Sequence, residues 1–231
     1  GTWMGVTRAG RFAALTNFRE PAVAKGSRSR GLLVSEYLLS DEGPMAYARR
    51  VMAAAEDYSG FNLLVGDADS LVVASNRGTP PTALAPGIYG LSNHLLDSPW
   101  PKVERARVAL RDRLADPAVE GLLALLADDA AVPDEDLPDT GVGLHLERLL
   151  ATPFIRSEGY GTRSSTVLLA GRERIRFVEQ VFTPEGPGER SDFEFDRATK
   201  GLAANGRALK DPATDAPLAQ ATAAGEGGAG A

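Results

Sequence analysis

Phe61-Asn62-Leu63-Leu64-Val65-Gly66-Asp67-Ala68-Asp69-Ser70-Leu71-Val72-Val73-Ala74-Ser75-Asn76 decides the fold class. Two apolar runs, Phe61 to Val65 and Leu71 to Asn76, flank a Gly-, Asp- and Ser-rich stretch with the chemistry of a turn, and so predict an antiparallel hairpin. Leu71-Val72-Val73-Ala74 is apolar at consecutive positions. Because successive strand side chains leave opposite faces, such a run needs cover on both sides.

The same grammar recurs on either side of this hairpin. Thr2 to Thr7 and Arg11 to Asn17 flank Arg8-Ala9-Gly10, and Ser165 to Ala170 and Arg174 to Phe182 flank Gly171. Between them lie helical blocks. Pro44 to Tyr58 repeats Met45, Ala48, Met52 and Ala55 at helical steps, and Lys102 to Ala115 repeats Val103, Ala106, Leu110 and Leu114 after the start signal Ser98-Pro99-Trp100-Pro101. Leu32 to Leu39, Pro117 to Ala127 and Gly143 to Leu150 are further helical segments. Hairpins alternating with helices predict an α+β fold in which two sheets pack between helical layers. Periodicity alone leaves the layering open.

Composition narrows the functional classes. The chain has 231 residues, 25 Lys and Arg against 31 Asp and Glu, a formal charge of −6, two histidines and no cysteine. Without Cys these residues hold no disulfide, thiolate zinc site, iron–sulfur cluster or cysteine nucleophile. The acidic balance argues against nucleic acid as a partner, and no apolar run approaches the roughly 18 residues of a membrane span. Residues 1–196 form the expected domain. Residues 197–210 suit a frayed helix, and 211–231, an Ala-, Gly-, Pro- and Thr-rich stretch without a basic or aromatic residue, suits a disordered tail.

Four polar stretches stand out as candidate sites. Ser92, Asn93, His94 and Asp97 cluster just before a predicted helix start, where backbone N–H groups favour anions. A capping turn explains Asp97 and Ser98 as well or better, and Asn93 fits either role. Arg163 stands among small hydroxyl residues ahead of an apolar strand, where its fork can meet a carboxylate, a phosphate or a developing oxyanion, or simply a neighbouring acid. Asn17 shares a strand face with Ala13 and Leu15, so its amide projects from an apolar surface, although a turn residue before Pro21 is equally compatible. Arg28 and Arg30 belong to a basic, hydroxyl-rich loop that suits either anion binding or a solvated surface. Phosphate-loop, dinucleotide, zincin and nucleophile-elbow motifs do not occur.

Gly1-Thr2-Trp3-Met4-Gly5-Val6, Phe12 to Arg19, Gly60-Phe61-Asn62-Leu63-Leu64, Ser75-Asn76-Arg77-Gly78, Gly90 to Val103 and Tyr160 to Leu169 together resemble, in order, the signatures of the NRDE family, also called the transport and Golgi organisation protein family. The resemblance implies a four-layer αββα sandwich like that of the N-terminal nucleophile hydrolases. It also implies that the family's Met-Cys start and Asn-Arg-Asp-Glu segment belong upstream of Gly1, so that the first strands of the sandwich are missing from these residues. By resemblance to the acylases of that fold, Asn17 corresponds to an oxyanion donor, Asn93 to a second active-site asparagine and Arg163 to the arginine flanking the nucleophile.

Two functions follow from the resemblance. One is a cytoplasmic protein that requires no cofactor and handles a small hydrophobic anion, haem or an acyl-CoA-like thioester. Arg28, Arg30, Ser92, His94, Asp97 and Arg163 would then meet its charged groups, with His94 a possible iron ligand. The other is a hydrolase of amide or thioester bonds whose cysteine nucleophile lies in the intact chain.

Overall fold

The computed structural model describes residues 2–21 and 26–198, which fall within one compact unit, Gly1–Thr199. Its elements in chain order are β1 (Met4–Val6), β2 (Phe12–Asn17), α1 (Gly31–Leu39), α2 (Pro44–Ala53), β3 (Phe61–Gly66), β4 (Leu71–Ser75) and β5 (Thr79–Ala83). They continue with α3 (Pro101–Arg113), α4 (Val119–Leu126), α5 (Leu144–Leu149), β6 (Arg156–Ser157), β7 (Tyr160–Gly161), β8 (Ser164–Ala170), β9 (Arg174–Thr183) and β10 (Gly186–Asp196). The fold is mixed α and β with antiparallel sheets. One sheet has the order β1-β2-β3-β4-β5, a second has the order β10-β9-β8, and β6 with β7 forms a short ribbon.

All three expected hairpins form. The first turns at Gly10, whose φ of +80° suits a residue without Cβ and whose N–H donates to Thr7 O at 2.8 Å. Asp67 shapes the turn of the second, its Oδ1 accepting from the N–H groups of Asp69 and Ser70. Four strands escaped the sequence reading, the two-residue β6 and β7 and the longer β5 and β10. β5 contains Pro80 and Pro81, which a sheet tolerates at its edge, and β10 reads Gly-Pro-Gly-Glu-Arg-Ser-Asp-Phe-Glu-Phe-Asp with almost no apolar alternation.

Helices α1 and α2 pack on one face of the five-stranded sheet. There Leu33, Val34, Tyr37, Tyr47, Ala48 and Val51 meet Ala13, Leu15, Phe61, Leu63, Val65, Val72 and Ala74 in a single buried cluster. The Tyr37 hydroxyl donates to Gly66 O and the Tyr47 hydroxyl to Leu33 O, so both buried phenols are satisfied. The buried stripe of α2 is Pro44, Tyr47, Ala48 and Val51, which rotates the helix from the expected Met45–Ala48–Met52–Ala55 line. A tyrosine whose hydroxyl finds a partner, here Leu33 O, buries more area than a methionine, and the two methionines flank the cluster instead.

The opposite sheet face is covered too. Asn62, Val73 and Ser75 are almost wholly buried on it. In the second sheet, Val167 and Val178 pack against Val119 of α4, while Ile175, which points the other way, is fully buried. Helix α3 starts at Pro101 as its signal predicts; of its expected apolar face Val103 is buried, Ala106 and Leu110 are half-buried and Leu114 is half exposed. Past β10, Arg197 N–H donates to Glu173 O at 2.6 Å and Ala198 N–H to Arg8 O at 2.9 Å, tying the second sheet to the first hairpin. The expected frayed helix beyond these two residues and the tail at 211–231 lie outside the described residues.

Candidate functional site

A cavity of about 570 Å³ opens beside β2, β8, α3 and α4. Leu91, Val103, Ala106, Leu110, Leu122, Leu125, Leu126, Ile155 and Leu168 give it a mainly aliphatic wall, and Lys102 and Arg107 are among the residues that line it. That size lies within the roughly 300–1,000 Å³ usual for small-molecule sites.

One rim is the segment Gly90–Ser98, and the sheet holds it by a polar row. Thr16 and Asn62 are partners in the β2–β3 register and Asn62 and Ser75 in the β3–β4 register, so their side chains line up on the face away from α1 and α2. The Thr16 hydroxyl donates to Ser92 O at 2.7 Å, and Asn62 Nδ2 donates to Thr16 Oγ1 at 3.0 Å and His94 O at 2.8 Å. Asp97 then closes the segment on itself. Its N–H donates to Gly90 O at 2.8 Å and its Oδ1 accepts from Gly90 N–H at 2.7 Å, with φ of +54° at Asp97 and Arg107 Nε 3.4 Å away.

Beneath this rim lies an aromatic and cationic stack. The His94 ring sits 4.9 Å from that of Phe18 and 5.4 Å from that of Trp100, and the Arg19 guanidinium lies 4.5 Å over Trp100. His94 Nδ1 is 2.7 Å from Ser98 Oγ, whose own hydrogen goes to Leu95 O, so Nδ1 carries the proton of a neutral ring. Burial, assisted by Arg19, holds the His94 pKa below its ordinary value. Arg19 forms a buried ion pair with Glu147 and also donates to Leu150 O at 2.9 Å.

Lys102 reaches from α3 into the same group. Its Nζ donates to Leu150 O at 2.9 Å and lies 5.6 Å from the Trp100 ring centroid. Burial, followed by repulsion from Arg19, brings its pKa down to about 8. The side chain is thus a cation at neutral pH that an incoming negative charge would stabilise.

The structure brings some of the sequence candidates together and leaves others apart. Ser92 and Asn93 line the cavity, and Asn93 Nδ2 donates to Asn17 O at 3.0 Å, joining the two asparagines. Asn17 Oδ1 is buried without a partner among the described residues. His94 and Asp97 shape the rim without lining the cavity. Arg163 is exposed, its carbonyl accepting from Phe182 N–H, and it lies outside the cavity lining. Arg28 and Arg30 also lie outside it. Arg28 pairs with Glu36 and stacks on Tyr58, while Arg30 donates to Gly60 O at 2.6 Å.

Lys102, Arg19, Glu147, Thr16 and Asn62 were not singled out by the sequence. One signal for Lys102 is legible in retrospect, because a lysine in the first turn of a helix opposes the helix dipole and requires some other reason to be there.

A mixed α/β fold with antiparallel sheets and an aliphatic, cation-bearing cavity is the class of protein this geometry defines. The chain belongs to the Transport and Golgi organisation 2 family, whose model matches residues 1–184. It is 37% identical over 212 residues to the Transport and Golgi organization protein 2 homolog of Bos taurus, covering 81% of this chain and 74% of that protein. It is 35% identical over 202 residues to the homolog of Homo sapiens, covering 78% of this chain and 71% of that protein.

Proposed function

We propose that this chain binds a small hydrophobic anion in the cavity, with the aliphatic wall holding its body and Lys102 its charge. The observation that carries this reading is the pairing of a wall built largely of leucine, valine and isoleucine with a half-buried lysine whose pKa is already depressed. Each methylene moved from water into such a wall contributes about 0.8 kcal/mol, and an anion near Lys102 relieves the cost of keeping that ammonium charged. An acyl-CoA-like thioester and haem both belong to the class. The acyl chain is the better match to the wall, because the His94 ring is stacked between Phe18 and Trp100 and is absent from the cavity lining.

The same reading takes the two sheets as the inner layers of an αββα sandwich of the N-terminal nucleophile hydrolase type. Its support is that each sheet carries helices on one face and buried residues, Val73 and Ile175 among them, on the other. A cytoplasmic location belongs with this reading. Among the described residues no helix is long and apolar enough to cross a membrane.

Titration with dodecanoate and dodecanoyl-CoA, followed by calorimetry, tests the proposal. Saturable binding that weakens by about tenfold or more in Lys102→Met and is blocked by Ala106→Trp is expected. Binding unaffected by both substitutions, or none at all, overturns it. Haem is tested in parallel, and a Soret change that is the same in His94→Ala removes His94 as an iron ligand.

A further inference from the structure

Two cations share one carbonyl behind the start of α3. Arg19 Nη2 and Lys102 Nζ both donate to Leu150 O at 2.9 Å, so the two nitrogens are at most twice that distance apart. Both charged groups stand near the Trp100 ring, and the two residues line one narrow crevice with Val132, Leu137 and Ala151. Glu147 supplies a carboxylate to this group and is already engaged by Arg19 and by the Thr140 N–H and hydroxyl.

Arg19 keeps one donor unused. Its side chain is 4% exposed, and its Nε–H is buried without an acceptor among the described residues. A donor shut in by the chain's own packing is costly, and an acceptor delivered to it would be stabilised. Lys102 is the neighbour with the chemistry to deliver one. Burial, followed by repulsion from Arg19, brings its pKa to about 8, so near that pH about half of these side chains are free amines, whereas an ordinary lysine is almost wholly protonated. At Nζ the repulsion from Arg19 outweighs the attraction of Glu147, so a negative charge formed there is held.

We propose that Lys102 takes up carbon dioxide as a carbamate, with Arg19 holding the new carboxylate. The Nζ lone pair forms a C–N bond to the carbon of carbon dioxide, one C=O π pair moves onto oxygen, and the amine gives up one proton to water. The product keeps one N–H for Leu150 O and gains two oxygens, one of which is the acceptor for Arg19 Nε–H. Arg19 Nη2 serves Leu150 O while Nζ moves. Val132, Leu137 and Ala151 keep water from the carbamate, whose loss of carbon dioxide requires a proton. The modification stands apart from what the cavity binds.

The full 231-residue chain is equilibrated with isotopically labelled bicarbonate near pH 8. Carbamates are then trapped as ethyl esters with triethyloxonium and located by peptide mass spectrometry. Lys25, Lys200 and Lys210, the other three lysines of the sequence, are the internal comparison. Trapping at Lys102 should exceed that at each of them by about tenfold or more, and a labelled carbamate resonance in carbon NMR should be absent from Lys102→Arg. Arg19→Met combined with Glu147→Leu should lose most of the Lys102 trapping, whereas Glu147→Gln, which removes the opposing carboxylate, should raise it. Equal trapping at all four lysines, none at Lys102, or trapping that neither variant changes overturns the proposal.

Discussion

Arg19 and Glu147, 128 positions apart in the chain, meet at 2.5 Å with both side chains buried. Glu147 also accepts from the Thr140 N–H and hydroxyl, and Arg19 lies over the Trp100 ring, so the pair joins the end of the first hairpin to α5 and to the start of α3.

Removing one partner should cost far more than removing both. Glu147→Ala leaves a buried guanidinium without its countercharge and is expected to destabilise by about 3–5 kcal/mol, whereas Arg19→Met combined with Glu147→Leu recovers most of that loss. Urea denaturation measures both; a single substitution costing under about 1 kcal/mol contradicts the assignment.

The same pair sets an acid limit. Burial opposes the Glu147 carboxylate, but the Thr140 donors and Arg19 outweigh it and hold its pKa below the ordinary value. A folded-state pKa below the unfolded one means that the unfolded chain binds more protons in the interval between them. The contribution of Glu147 is complete above its unfolded pKa and disappears as pH falls through the lower folded one. Thermal melts against pH should show a steeper acid decline for the parent chain than for Glu147→Gln.

Lys102 has the opposite consequence at alkaline pH. Its folded pKa of about 8 lies below its ordinary value near 10.5, so the ammonium opposes folding at neutral pH and ceases to do so as pH rises through that interval. Lys102→Met is expected to raise Tm at pH 7 and to lose that advantage toward pH 10.5. Leu150 O remains bonded to Arg19, so the substitution orphans no carbonyl. Anion binding by the parent chain should weaken above pH 8.

Gly90 tests how tightly the rim is seated on α3. A Cβ there would stand 2.5 Å from Val103 Cγ1 and 3.2 Å from Arg107 Cδ. Gly90→Ala should destabilise by about 1–3 kcal/mol and reduce ligand affinity, measured by melting and titration of the same sample. A neutral effect on both would show that the rim moves freely.

Much of this architecture was legible. The hairpins around Gly10, Gly66–Ser70 and Gly171 and all five helices announce themselves through apolar period and turn chemistry, because each buries its own local face. β10 was not legible, since its Arg176–Asp192 and Arg174–Glu194 pairs stabilise an exposed strand through charges that carry no period-2 apolar signal. The cavity was legible only in part. Ser92 and Asn93 stood out as a polar cluster, whereas Lys102 matters because Leu150 and Arg19 come to it from distant segments, and Asn62 because β2 and the Gly90–Ser98 segment meet there. Such relationships reside in tertiary contacts rather than in spacing.

The Thr16–Asn62–Ser75 row has a consequence for how the chain finds its own pairing. On β3 each neighbour of Asn62, Phe61 and Leu63, belongs to the aliphatic cluster under α1 and α2. A slip of one residue would drive the carboxamide into that cluster and pull the apolar side chains out of it. A strand as uniformly greasy as Leu63-Leu64-Val65 tolerates many alignments; the single amide makes all but one of them expensive, so Asn62 acts as a proofreading mark for the central strand.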